Sequence, residues 1–547
     1  MAGNERPEHT ASEQQDVTIV AEGPVTLGAH GLPLVTRVRI PAERTAPGPV
    51  GARLEVVVRD AQGEPLAPDL AGGAGWGIRD LSPGGGGVPV SDDPVFLAQH
   101  VYAVASETLA SFERTLGRRI SWAGGRRLRI DADADIPAAQ TGYQNADCVI
   151  NLGRHAGTPL ALYRDLLVHE VTHAVLAGYR PRWSDRWAML DQFSLHEALA
   201  DLMALLSVFT SAEVVERLVE AALLEQGPDA PAGQDQLDAA ILRSGLFGLA
   251  DHLFGHGPAL RAPMAAIPPV GWRLSPEPHW RASGVVHAVM ETVLQLWNRR
   301  LDIPGGRSSV YLVATAGAAV GMHVRRMLVR GLAYMPPVDA GPEDLLRGIL
   351  AADETLVPDD PRNYRATLVA CFADVGINAG DPASRTGVAG LDRLEYAFGN
   401  GMLDAGPEEV VRFVWNNSAL MTALALDQSR GLVVDAVRTS TRISPSGFAV
   451  TETGASLVQE FVASVSEARA LGVRCEAAVV FRGGALVRFD DGGRLVFAAV
   501  KPVLDISRQQ AKLDELHRER SVAAEDPDSK RFRDRMLAMH ARRWART

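Results

Sequence analysis

Cysteine is scarce: three residues in 547, Cys148, Cys371 and Cys475, stand too far apart for a disulfide framework or a cysteine-based metal site. Basic charge is also short. Against 55 Lys and Arg the chain sets 66 Asp and Glu, a formal net charge of −11, which excludes a general nucleic-acid binder because gripping phosphates takes a surplus of cations. No uninterrupted run of 18 apolar residues occurs, so no membrane span is predicted. The polar start MAGNERPEHTASEQQD lacks the apolar core of a signal peptide. A soluble, cytoplasmic protein is the expectation. There is no nucleophile-elbow serine, and no glycine-rich phosphate loop followed by Lys.

What remains is an ordinary globular composition, long enough for two to four domains. Residues 1–16 read as disordered. Residues 17–70 carry β-like runs at 17–20, 35–40 and 54–58, a β-rich module, and 71–93 form a Gly/Pro linker. Helical spacing then takes over from Val95 to Leu116, stopped by Gly117. Short strands follow at 127–130 and 148–152, then helices over 160–177 and 194–209. Further helices are expected at 213–225, 235–254, 283–300, 309–334, 342–352 and 362–375. Residues 381–547 read as an α+β C-terminal module: a helix at 455–471, a hairpin over 476–503 with turns at Gly483-Gly484 and Asp491-Gly493, and a basic tail helix over 530–547.

The chemistry concentrates in His169-Glu170-Val171-Thr172-His173. Two histidines four apart on a helix share one face, about one turn apart, which suits a divalent metal. Glu170, beside the first, could take a proton from a water acidified by that metal. Ser194-Leu195-His196-Glu197-Ala198-Leu199-Ala200-Asp201 follows as a second helix. Glu197 can complete a three-ligand zinc site, and Asp201 can accept a hydrogen bond from the far nitrogen of a ligating histidine. The competing reading makes Ser194 and Glu197 a capping box at a helix start.

HEVTHAVLAG followed by HEALAD resembles the thermolysin-like, or gluzincin, zinc peptidases, in which an Asn-Glu-x-x-x-Asp helix follows the H-E-x-x-H helix. Here the interval from His173 to Glu197 is 24 residues, and His196 stands where the family has Asn. The resemblance implies that His169, His173 and Glu197 bind Zn2+, that Glu170 is the general base and that Asp201 orients His169. It further implies an α+β fold with a two-lobed zincin core over 94–380, a strand-bearing N-terminal lobe before a helical C-terminal lobe. Asn145-Ala146 is similar to the family's substrate-binding edge strand, which pairs with an extended peptide; an ordinary turn is the alternative. His279-Trp280-Arg281-Ala282-Ser283-Gly284 resembles the family's His-x-x-Ser-Gly segment, with one residue more, and would supply the oxyanion-stabilising histidine; His287 is the other candidate. The helices beyond residue 300 resemble a poorly characterised bacterial branch of the same family.

A zinc-dependent peptidase acting on a peptide or protein is the expectation. A non-peptidase zinc hydrolase and a zinc-binding scaffold without turnover are its rivals. Asp131-Ala132-Asp133-Ala134-Asp135 begins like a calcium loop but has Ile136 and Gly142 where such a loop needs Gly and Glu, so a polar turn is expected there.

Overall fold

The computed structural model describes residues 14–23, 33–60, 62–70, 78–84, 87–185, 187–225, 271–301, 309–380, 407–416 and 418–523. The expected helix at 235–254, the basic tail helix, and most of the 1–16 segment lie outside them. So do residues 71–77 and 85–86 of the expected linker. The chain forms two compact units: Met1–Ser111 with Trp122–Val175, and Phe112–Ser121 with Leu176–Met539.

In the first unit, β1 (Gln14–Val20) and β2 (Val35–Pro41) make an antiparallel pair. Residues 14–16, expected to be disordered, belong to β1. A five-stranded sheet is built from β3 (Leu54–Arg59), β4 (Pro65–Leu66), β5 (Leu128–Asp131), β6 (Gly142–Gln144) and β7 (Val149–Asn151), in the order β4-β3-β5-β7-β6. Strands β3, β5 and β7 run parallel, with β6 antiparallel at one edge. β3 thus joins strands seventy residues downstream rather than closing a separate N-terminal module with β1 and β2. The helix α1 (Pro94–Leu116) makes the crossover from β3 towards β5, the connection that parallel strands require. A small ribbon, β8 (Arg154–His155) with β9 (Thr158–Pro159), precedes α2 (Arg164–Tyr179).

Polar side chains of α1 hold β1 in place. The Gln99 amide donates to Thr18 O at 2.9 Å, and His100 Nδ1 accepts the Val20 N–H at 3.2 Å. The carboxylates of the 131–135 segment serve ion pairs: Asp131 with Arg59 at 2.6 Å, and Asp133 in a two-pronged pair with Arg154, both contacts 2.7 Å.

The second unit is helical before it turns to sheet. Its helices are α3 (Leu190–Ser207), α4 (Ala212–Glu225), α5 (Pro278–Leu301), α6 (Val310–Gly331), α7 (Pro342–Leu356) and α8 (Tyr364–Asp374). Gly317 and Gly321 let α6 come close to its neighbours: a Cβ would fall 2.5 Å from the Trp297 ring and 2.3 Å from the Phe209 ring. The stretches Leu190–Thr210 and Val310–Tyr334 are long and apolar enough, by composition, to cross a membrane; 94% and 61% of these windows are buried inside the protein. For α3 that burial accounts for nearly all of the apolar surface.

After α9 (Pro407–Asn416) and α10 (Ser418–Ala423) come β10 (Val433–Ile443), β11 (Ala449–Ala463), a short helix α11 (Val465–Ala470), β12 (Val479–Asp490), β13 (Leu495–Lys501) and α12 (Ile506–Ala523). The four strands form an antiparallel meander. The helix expected at 455–471 is therefore mostly strand β11. Residues 452–459 are buried on both faces, so the alternation that marks a half-exposed strand is absent and Leu457, Val458, Phe461 and Val462 imitate helical spacing. Gly483-Gly484 is likewise no turn: both lie within β12, where a Cβ would meet the Val503 backbone at 2.5 Å and Leu457 O at 2.4 Å. The Asp491-Gly493 turn joins β12 to β13.

Burial of the His100 ring, with the Arg164 charge near it, lowers its pKa from 6.5 to about 3. The imidazole is neutral in the fold, as an acceptor for the Val20 N–H must be. An unfolded histidine takes a proton near 6.5, so the unfolded state binds more protons between those values. This contribution is full above pH 6.5 and is lost as pH falls towards 3. The variant His100→Asn keeps an acceptor and removes the titration. Its urea midpoint is expected to fall less than the parent's between about pH 7 and about pH 4.

Candidate metal centre

α2 reads Arg-Asp-Leu-Leu-Val-His-Glu-Val-Thr-His-Ala-Val-Leu-Ala-Gly-Tyr, with Asp165 in the first turn and a run of helix-compatible residues up to Gly178. Only one turn separates His169 from His173, both buried, with Nε2 atoms 3.0 Å apart and rings edge-to-face at 81°. That separation suits either one N–H···N bond or two lone pairs directed at one cation. Thr172 satisfies its hydroxyl within the helix by donating to Val168 O at 2.7 Å. Glu170 is fully buried, and its Oε2 accepts the backbone N–H of Tyr143 in β6 at 2.8 Å.

α3 starts earlier than expected. Gln192 Oε1 accepts the Met189 N–H at 2.9 Å at the helix start, and Ser194 donates to Leu190 O at 2.8 Å from one turn further into the helix. Ser194 is not the cap, and the capping-box account of Glu197 fails on that geometry. Glu197 lies fully buried in the middle of α3, and Asp201 is buried one turn further on. His169, His173 and Glu197 each offer a ligand atom, and these atoms all lie within 4.8 Å of one another. Two imidazole nitrogens and a carboxylate oxygen suit a first-row divalent ion.

At the start of α5, Glu277 caps the helix: its carboxylate accepts the backbone N–H of His279 at 3.0 Å and of Trp280 at 2.6 Å. The same Oε1 lies 2.8 Å from His279 Nδ1 and fixes the ring, whose Nε2 comes 3.0 Å from Glu197 Oε2. Burial of the ring would lower its pKa, but the Glu197 and Glu277 carboxylates outweigh that and push it up to about 10. His287 is buried on the same helix, eight residues and about 12 Å further along its axis.

Asn145 and Ala146 do not lie in a strand. β6 ends at Gln144, and residues 145–148 turn into β7, with Cys148 at a φ of +53°. Tyr143 is the residue whose backbone reaches the site. It leaves no sequence signature, since every residue but proline has an N–H. Glu277 does: an acidic residue before Pro278 at a helix start is a capping signal that sequence reading missed.

Between α2 and α3 the connector is held by the C-terminal sheet. Arg438 of β10 donates to Tyr179 O at 2.7 Å, at the end of α2. Arg182 pairs with Asp435 of β10 at 2.6 Å, and Arg482 of β12 grips both oxygens of Asp185 at 3.1 and 2.7 Å. His196 points to this connector, its Nε2 3.1 Å from Ser184 Oγ. No protein-family model matches the chain, and no curated protein matches it.

Arg482 is wholly buried while Asp185 is 29% exposed. Removing the carboxylate leaves a buried guanidinium with Glu460, 2.8 Å from its Nε, as its remaining acid among the described residues. Asp185→Ala is therefore expected to cost about 2–3 kcal/mol in urea unfolding. Asp491→Ala, in the exposed β12–β13 turn, is expected to stay within about 0.5 kcal/mol.

Proposed function

We propose that the chain is a zinc-dependent peptidase, with His169, His173 and Glu197 as ligands. The observation that carries this reading is the convergence of these three buried donors beside an equally buried glutamate, Glu170. The resemblance of HEVTHAVLAG and HEALAD to the thermolysin-like peptidases supports it and suggests the two-lobed core arrangement. Bound zinc supplies Lewis acidity, polarising a carbonyl and lowering the pKa of a water to near neutrality.

The chain's own residues do the rest. Glu170 accepts the water's proton as the carbonyl is attacked and passes it to the leaving amine. The Tyr143 N–H holds one of its oxygens, fixing the carboxylate's orientation. Glu277 orients His279, which donates from Nε2 to the oxygen that gains charge in the transition state. Asp201 orients His169. The edge strand β6 (Gly142–Gln144), rather than the turn at Asn145-Ala146 that follows it, offers backbone for an extended peptide to pair with.

Two variants test this reading. Glu170→Gln should hold as much zinc as the parent by elemental analysis and cleave a mixed peptide library about a thousandfold more slowly. His169→Ala should lose the metal. Equal cleavage by parent and Glu170→Gln defeats the catalytic role, and a parent that takes up no divalent ion defeats the site. Zinc uptake with no peptide cleaved by the parent turns the reading to one of its rivals.

A further inference from the structure

Far along the chain from the ligand motifs, α5, α6 and the start of α8 in the second unit bring arginines to one corner. α6 carries His323, Arg326 and Arg330 at spacings of three and four, on one face. Tyr364, the first residue of α8, packs its ring on His323 with centroids 4.3 Å apart, and Arg362 stands two residues before it. α5 ends in Arg299-Arg300-Leu301, and Arg299 reaches Thr367 of α8 at 2.7 Å, which brings Arg300 to the same corner.

The acids there are already engaged. Asp353 of α7, almost fully buried, pairs with Arg365 at 3.0 Å and lies 4.0 Å from Arg330 and 3.9 Å from His323. Asp360 accepts the backbone N–H groups of Tyr364 and Arg365 at 2.8 and 3.0 Å. Arg326 and Arg362 are exposed and Arg300 is partly so, and the ion pairs that Asp353 makes at this corner go to Arg365, Arg330 and His323 rather than to these three. Burial, with the charges of Arg330, Arg326, Arg300 and Arg362, lowers the His323 pKa to about 4, so this ring adds no cation of its own near neutral pH.

A solvated helix face has no need to gather like charges from separate elements, where they repel. Guanidinium groups gathered beside acids already engaged match an oxyanion instead, and a tetrahedral one offers acceptors to several forks where one carboxylate saturates one. We propose that this corner binds a small phosphate-bearing anion, held by Arg300, Arg326 and Arg362 beside the His323–Tyr364 pair. The proposal stands independently of the metal site.

Titration calorimetry of the full chain with pyrophosphate, at an ionic strength matched with sodium chloride, tests it. Saturable one-to-one binding is expected. It should weaken about tenfold in Arg326→Gln and in Arg362→Gln, both at exposed positions, and be unchanged in Arg494→Gln, an exposed arginine of the β12–β13 turn. In histidine NMR the His323 pKa should rise from about 4 when the anion binds, since the anion offsets the arginine field. A nucleoside diphosphate in a second arm separates sources: tighter binding than pyrophosphate assigns the phosphate to a nucleotide, and equal binding to a free oxyanion. Absence of saturable binding at matched salt overturns the proposal, as does binding that the Arg326 and Arg362 variants leave intact.

Discussion

Keeping ionisable groups out of water is the constraint on which the rest of the site depends. Glu170, Glu197 and Asp201 place three carboxylates in the protein interior, with His169, His173 and His279 equally enclosed. An uncompensated buried carboxylate costs several kcal/mol, so a fold that carries these residues must bring polar partners to them at close range. It does so by different means for each. A backbone N–H of the sheet's edge strand meets Glu170, an imidazole meets Glu197, and the two ligand-candidate histidines meet each other. A divalent cation among His169, His173 and Glu197 would answer the same electrostatic demand.

Such partners work only if the elements bearing them are held firmly, and the segment from Tyr179 to Asp185 is where the C-terminal sheet acts. Arg438, Asp435 and Arg482 are separated from it by some 250 to 300 residues of chain, yet each makes a charged or charge-assisted contact with it. Contacts of that reach are paid for in chain entropy when the protein folds, and a two-pronged arginine–carboxylate pair returns both energy and fixed geometry. The sheet thereby acts as a brace on the connector that leads into the helix of Glu197 and Asp201. Its strands carry buried arginines, Arg442, Arg482 and Arg488, because their partners lie within the same unit.

The parts legible in the sequence were those set by local spacing. Helical periodicity located α1, with Gly117 as its stop, and α2, which runs through Gly178 to Tyr179; alternation located β2, and the four-residue interval placed His169 and His173 on one face. What the sequence concealed depended on contacts made elsewhere. β11 is buried on both sides, so its pattern lost the period of two and read as helix. Gly483-Gly484 looked like a turn because glycine is common there, whereas the pair admits neighbouring backbone to a crowded strand. The start of α3 was misplaced because Gln192, not Ser194, supplies the acceptor at its first turn. Tyr143 and Arg482 contribute through partners 27 and 297 residues away, separations at which sequence carries no spacing rule.

His196 shows how such a long view changes the weight of a sequence difference. It stands where the thermolysin-like pattern has asparagine, next to the candidate ligand Glu197, and by sequence alone that departure counts against the resemblance. A helix turns about 100° per residue, so neighbours on α3 cannot face the same point. The His196 ring goes to the connector instead, with Ser184 Oγ at 3.1 Å and the Trp183 ring edge-on at 6.3 Å between centroids. An imidazole reaches further than a carboxamide and presents an aromatic face, which the buried Trp183 can pack against. The histidine is thus accounted for by the packing of residues 183–184, and Glu197, one step along the helix, is left to face elsewhere.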